Sequence, residues 1–371
     1  MPELKSKKVI EKVTVIGLGV IGGSIGLALK KRAPHLQVTG VDLTREIIEE
    51  ALQRGVVDYG TTDLAEGVEG ADLVVLASPM PTIADICRQI APFLKVGAIV
   101  TDTGSTKVNI VQLMARILPA SVSFLGGHPM AGSEKTGLAG ATELLFENAA
   151  YLLTPLADCS AETIDTVRQF VESLGAHVII LSPEEHDRKV AAVSHLPHVA
   201  ACALTRTLGF LESKEGGYYP LTAGGFRDTT RIAASDSVMW TDILLQNSQA
   251  ILPLINDLQQ RLEEFKETLV SRNPERLGQL LTEARESRSQ LPTGIKSILP
   301  ELFELSVMVP DQPGSIAELT VLLSKQHINI SDIEIMRVRE ENGGTIRLGF
   351  TGENQRDLAA KILREHGFGV R

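Results

Sequence analysis

At 371 residues the chain exceeds one ordinary core, and roughly 150 residues per domain predicts two to three domains. It is 43% hydrophobic and 22% charged, a globular profile that excludes general disorder. With 36 basic against 46 acidic side chains its net charge is −10, and no basic run longer than Lys30-Lys31-Arg32 directs it to nucleic acid or an anionic membrane. The three cysteines, Cys87, Cys159 and Cys202, are odd in number and lack CxxC spacing, so neither a disulfide framework nor a zinc knuckle is expected. The first apolar stretch, 13–28, is broken by five glycines and does not read as a signal peptide. No run reaches the roughly 18 apolar residues of a membrane span. The expectation is a cytoplasmic protein that binds neither nucleic acid nor membrane.

In chain order, strand-like runs fall at 13–17, 37–42, 73–78, 98–102, 122–126, 151–154 and 177–181, with helix-period stretches such as 45–54 and 83–93 between them. Runs that are apolar throughout suit a parallel sheet covered on both faces. Their alternation with helices predicts a doubly wound α/β sheet. From 183 to about 290 the strands disappear and helices are expected at 183–212, 237–270 and 274–289, with a Gly- and Tyr-rich loop at 215–225. Within 240–255 the residues Ile243, Leu244, Ile251, Leu252, Leu254 and Ile255 cover more than one stripe, so this helix meets several neighbours. An all-α domain that cannot close on itself predicts a homodimer interface. The stretch 291–300, with two prolines and a glycine, reads as a linker. Beyond it Phe303, Leu305, Val307 and Val309 alternate with other residues. A helix at 315–326, strands at 328–339 and 345–350, a helix at 355–366 and a short run at 368–370 complete a βαββαβ, ferredoxin-like module. The boundaries read 1–182, 183–298 and 301–371.

The first strand run turns directly into a helix through Gly17-Leu18-Gly19-Val20-Ile21-Gly22. Gly17 permits the tight turn, Gly19 lets backbone approach a pyrophosphate, and Gly22 lets helix pack on strand; the helix N-terminus offers free N–H groups to phosphate. Asp42 ends the second strand run 20 residues past Gly22. An acid there accepts ribose hydroxyls and repels a 2′-phosphate, which predicts a Rossmann site for NAD rather than NADP. Arg45, nearby, is the one feature that points the other way.

Three polar constellations follow. Thr101-Asp102-Thr103-Gly104-Ser105-Thr106-Lys107 lies at the carboxyl end of a parallel strand, where such sheets bind ligands, although Ser105 reads equally well as a helix cap. His128, on a Gly/Pro-rich loop after a strand, has the near-neutral pKa of a general acid or base; a structural histidine is the alternative. The third comprises Asp187, residues 194–198 and residues 224–233. His195 and His198 share a helical face with Cys202 a turn beyond, a metal-like spacing, but hydride transfer to NAD needs no metal and none is expected. Arg231 is either a carboxylate clamp or a surface ion pair.

In combination, GLGVIGGS, TDTGSTK, GGHPMAGSEKTG, VSHLPH and GGFRDTTRIAASD resemble the prephenate/arogenate dehydrogenase family over about 11–298. Residues 301–371, with Asp311-Gln312-Pro313-Gly314 between strand and helix, resemble an ACT regulatory domain. The resemblance implies a Rossmann domain, an all-α dimerisation domain and an ACT domain. It also implies NAD-dependent oxidative decarboxylation of prephenate to 4-hydroxyphenylpyruvate in tyrosine biosynthesis. By motif, His128 engages the ring hydroxyl, Ser105 hydrogen-bonds that histidine, and His198 and Arg231 bind substrate. Gly17, Leu18, Gly19, Val20, Ile21, Gly22, Asp42 and Ser78 hold the cofactor. Asp311, Pro313 and Gly314 face an effector, which end-product logic makes L-tyrosine. The very short final strand leaves the completeness of the effector site open. Arogenate as substrate, and a non-catalytic NAD-responsive amino-acid sensor, are the alternatives.

Overall fold

The computed structural model describes residues 10–132, 136–291, 302–310, 312–340 and 343–370, and its contacts divide the chain into two units, Met1–Ser287 and Arg288–Arg371. The first unit opens with β1 (Lys12–Ile16), α1 (Val20–Arg32), β2 (Gln37–Val41), α2 (Arg45–Gln53), β3 (Tyr59–Thr61), α3 (Leu64–Val68) and β4 (Leu73–Leu76). It continues through α4 (Met80–Ile90), β5 (Ile99–Asp102), α5 (Val108–Ile117), β6 (Ser123–Pro129), β7 (Ala150–Thr154), α6 (Ala161–Ser173) and β8 (His177–Ile180). These strands form one eight-stranded sheet in the order β3-β2-β1-β4-β5-β6-β7-β8.

The two faces carry separate cores. Val13, Val15, Leu29, Tyr151 and Phe170 pack on one; Ile16, Val74, Leu76, Ile83 and Met114 pack on the other. All four residues of β4 are buried, which is why the strand runs are apolar without alternation. The first six strands are parallel as expected. The last two depart from that: β7 lies antiparallel to β6, and β8 follows β7. Among its described residues the connection 130–149 holds only a 3₁₀ turn at Leu138–Gly140, and strands joined without a crossover helix pair antiparallel. The three-residue β3, beginning at exposed Tyr59, has no apolar run to announce it.

The helices that follow are α7 (Pro183–Val190), α8 (Leu196–Glu215), α9 (Gly224–Thr230), α10 (Ser237–Gln246), α11 (Ser248–Val270) and α12 (Pro274–Ser289). Two spans expected as continuous helices are broken. A π-turn at Ala191–His195 separates α7 from α8, just before Pro197, which has no N–H to continue the ladder. Buried Asn247 separates α10 from α11. The expected loop at 215–225 contains a 3₁₀ turn at Tyr219–Leu221. No helix among the described residues is long and apolar enough to cross a membrane.

The second unit runs β9 (Phe303–Val309), α13 (Ser315–Lys325), β10 (Asp332–Glu340), β11 (Gly343–Phe350), α14 (Glu353–Glu365) and β12 (Gly369–Val370). Its antiparallel sheet has the ferredoxin-like order β10-β11-β9-β12. The helices cover a core that includes Leu305, Val307, Leu319, Ile346 and Leu363. The terminal strand is as short as its sequence suggests: Gly369 and Val370 pair with Met308 and Val307.

Candidate active site

The turn between β1 and α1 is built for a phosphate. Gly17 sits at φ +93°, and a Cβ there would lie 2.8 Å from the backbone of Ala77 and Ser78. A Cβ on Gly22 would come within 1.9 Å of the Gly17 carbonyl oxygen, whereas one on Gly19 would meet nothing within 4 Å. The helix is therefore clamped to the strand at Gly22 while space stays open above Gly19. Gly19 caps α1 without a side-chain oxygen, so the first-turn amides from Val20 onward keep their affinity for an anion. Asp42, just past β2, is pinned beside this turn: Oδ2 accepts from Leu18 N–H at 2.6 Å and Oδ1 from Leu43 N–H at 2.7 Å. Ser78, after β4, has a buried Oγ with no hydrogen-bond partner. An open cradle, an acid at the ribose position and an orphaned hydroxyl fit a dinucleotide.

The end of β6 places His128, 8% exposed, at the carboxyl edge of the sheet. Its Nδ1 lies 2.9 Å from Nε2 of fully buried His186, whose Nδ1 lies 2.8 Å from Oδ1 of Asp187. A carboxylate only accepts, so His186 carries its proton on Nδ1 and, when neutral, accepts at Nε2. His128 must then donate from Nδ1, which leaves its Nε2 lone pair for a substrate. Contrary to expectation, no hydrogen bond joins Ser105 to His128, whose one side-chain partner among the described residues is His186. The Asp187 carboxylate also accepts the N–H groups of Lys107 (2.7 Å) and Val108 (2.9 Å) at the start of α5. Asn247 Nδ2 donates to the Asp187 carbonyl at 2.8 Å and lies 3.1 Å from His195 Nδ1.

Behind this line, Asp102 and Lys107 form an ion pair with neither side chain exposed. Asp102 Oδ1 accepts from Gly127 N–H at 3.1 Å, and Oδ2 accepts from Gly104 N–H at 2.8 Å. One carboxylate thus ties the strand residue before His128 to the loop that carries half-buried Ser105. Burial pushes the Lys107 ammonium below the usual lysine range, against the pull of Asp102 and Asp187. Burial, with the neighbouring His186, Lys107 and His195, holds His128 well below the ordinary histidine value. It is neutral at physiological pH.

His198, on α8, is buried with its ring stacked on Trp240 of α10, centroids 3.5 Å apart and planes within 2°. Its Nε2 lies 3.5 Å from Cys202 Sγ, and its Nδ1 is buried without a partner. The pair faces a cleft of about 340 Å³ whose lining includes Arg206, Ala233 and Ser235. Arg231 begins the 3₁₀ turn Arg231–Ala234, which packs against α8 and leads into that lining. In the second unit, Gly314 adopts φ +96° as the N-cap of α13, and the buried Ser315 Oγ beside it has no partner. Pro313 precedes them; Asp311 lies outside the described residues.

His186, Asn247 and Trp240 were absent from the sequence-based site. Asp187 stood out in the sequence; its neighbour His186 carries no motif that marks it, and Asn247 lies inside what reads as continuous helix.

This fold and site define a dinucleotide-dependent dehydrogenase joined to a helical domain and a small regulatory-type module. The chain matches the family models for the prephenate dehydrogenase nucleotide-binding domain over 25–180, the prephenate dehydrogenase dimerization domain over 182–283 and the ACT domain over 303–366. It is 36% identical over 358 residues to the prephenate dehydrogenase of Bacillus subtilis, covering 95% of each chain. Among solved structures it resembles the A. aeolicus prephenate dehydrogenase in complex with hydroxyphenyl propionate and NAD+ (TM-score 0.72, 33% identity, 77% of this chain and 100% of that one). It also resembles Synechocystis arogenate dehydrogenase (TM-score 0.67, 31% identity, 75% of this chain and 99% of that one). The chain belongs to the prephenate dehydrogenase family. It is an NAD-dependent oxidoreductase carrying an ACT domain.

Proposed function

We propose that the chain oxidises prephenate to 4-hydroxyphenylpyruvate and CO₂ in the cytoplasm, as a step towards tyrosine. The observation that carries this reading is the Nε2 lone pair of His128, left free at the sheet edge by the hydrogen bond its Nδ1 makes to His186. When bound, NAD+ supplies the hydride acceptor for the hydroxyl-bearing ring carbon. His128 takes the hydroxyl proton as that carbon becomes a carbonyl equivalent, and Ser105 orients the hydroxyl. Arg231 and His198 hold substrate carboxylate, a task suited to a guanidinium fork and to a buried imidazole with an orphaned nitrogen. Loss of the ring carboxylate as CO₂ makes the ring aromatic and draws the reaction forward. Asp42, anchored beside the turn, favours NAD+ over NADP+.

The helical region serves as a homodimer interface: its apolar residues Phe210, Leu221, Val238, Leu245, Leu252 and Val270 are all more than half exposed. The ACT domain binds L-tyrosine at Pro313 and Gly314, where the orphaned Ser315 hydroxyl adds a polar group. The working division of the chain is 1–182, 183–298 and 301–371. NADH formation measured with prephenate and then with arogenate, for wild type and His128→Asn, tests the reading. Turnover with prephenate, lost by about 10²–10⁴-fold in the variant with NAD+ affinity unchanged, supports it. A fully active His128→Asn overturns it, and turnover with arogenate alone reassigns the substrate.

A further inference from the structure

We infer that His186, backed by Asp187, is a proton relay behind His128, so that the positive charge created on deprotonating the substrate hydroxyl settles on His186. The inference rests on the reading of His128 as the base. Asp187, His186 and His128 stand in one hydrogen-bonded line with contacts of 2.8 and 2.9 Å, and His186 is wholly buried. A buried histidine with a carboxylate on one nitrogen and a second histidine on the other has no solvent to exchange with.

The surroundings of the two rings differ in what they tolerate. His128 is buried and meets the Lys107 ammonium, His186 and His195, all of which oppose an imidazolium there. A base that cannot keep the proton's charge is a poor base. His186 instead has the Asp187 carboxylate at its far nitrogen, and that carboxylate is held in its charged form. Burial raises its pKa, but hydrogen bonds from His186 and from the Val108 and Lys107 N–H groups prevail and lower it.

The transfer balances without a further reactant. The substrate O–H bond breaks and an N–H bond forms at His128 Nε2. The Nδ1–H bond of His128 breaks and an N–H bond forms at His186 Nε2. The electron pair of the O–H bond becomes the C=O bond as hydride leaves for the bound NAD+. His128 ends neutral in its other tautomer, and His186 ends as an imidazolium paired with Asp187. Reversal through His128, once the product has left, restores the starting state.

His186→Gln separates relay from positioning, because a glutamine amide oxygen can accept His128 Nδ1–H but cannot take up a proton. The measurement is single-turnover NADH formation by the full chain with saturating prephenate and NAD+, in mixtures of H₂O and D₂O. The relay predicts a bowed, two-proton dependence in wild type. In His186→Gln it predicts a rate about 10²-fold lower, at the weak end of general acid–base effects, a linear dependence, and unchanged KM and NAD+ affinity. A His186→Gln enzyme with the wild-type rate overturns the relay. If that variant does not fold, the wild-type dependence decides alone: a linear one overturns the relay. His128→Asn keeps the two readings apart, since an inactive His128→Asn beside a fully active His186→Gln sinks the relay and leaves the base in place. An active His128→Asn removes both.

Discussion

Asp102 and Lys107 form a buried pair that anchors the backbone beside Ser105 and His128. Their ion pair is sealed from solvent, and Asp102 spends its other lone pairs on Gly104 and Gly127 N–H. Removing one partner leaves an uncompensated buried charge, so Lys107→Ala should cost about 3–5 kcal/mol of stability, read as a lower urea midpoint. The buried histidines set a second dependence. Burial, chiefly, carries His195 from 6.5 to about 4, and lowers His128 and His198 in the same direction. The folded protein therefore binds protons less readily than the unfolded chain, and stability must fall as pH drops below 6.5. For His195 alone the loss at pH 4 is roughly 3 kcal/mol. Asp187 adds to the same trend lower down, since its depressed pKa stabilises the fold above about 3.8 and that gain fades below it. Urea unfolding at pH 7, 5.5 and 4.5 should show the decline, and His195→Gln should flatten it. A stability independent of pH over this range would refute the account.

At the scale of elements, the two ends of the β1–α1 turn make opposite demands on glycine. Gly19→Ala places its methyl in open space and should leave the melting temperature nearly unchanged while weakening NAD+ binding, because the methyl occupies the phosphate cradle. Gly22→Ala drives a methyl into the Gly17 carbonyl and should destabilise the fold itself. Paired thermal melts and NAD+ titrations distinguish the two; equal behaviour of both variants contradicts the assignment. The break at Asn247 has a different origin. Its amide donates to the Asp187 carbonyl 60 residues earlier in the chain, which also accepts the Ala191 N–H, so Asn247→Ala should cost about 1 kcal/mol, the net worth of one hydrogen bond. The turn was legible in the sequence because its requirements are local: a left-handed residue, a bare backbone, a close approach. The helix break at 247 was not, because local propensity favours continuing the helix and a distant partner rewards stopping it; the break at 191–195 carries a local mark in Pro197 that helical periodicity alone does not register.

For the whole molecule, the exposed apolar surface of the helical region and the separate C-terminal unit make distinct demands. Sedimentation should find a dimer, and a charged residue at Leu245, 68% exposed, should weaken it without altering the β1–α1 turn. Truncation after Ser297 removes the ACT domain and tests regulation. Loss of tyrosine inhibition with activity retained assigns the sensor to the ACT domain, whereas equal inhibition of both forms places tyrosine at His198 and Arg231 as a product mimic.

The order of elements, the dinucleotide turn, Asp42 at the second strand and the ferredoxin-like pattern of the C-terminal region could all be read from the sequence. Each is written in a short-range period or in glycines required by local backbone geometry. The reversal of β7 and β8, the partner of His128 and the tautomer it enforces could not. The last two arise where β6, α5, α7 and α11 converge, through contacts 58 to 80 residues apart in the chain. No local pattern encodes which buried polar group will face which, so only the folded structure decided that Nδ1 of His128 pairs with His186.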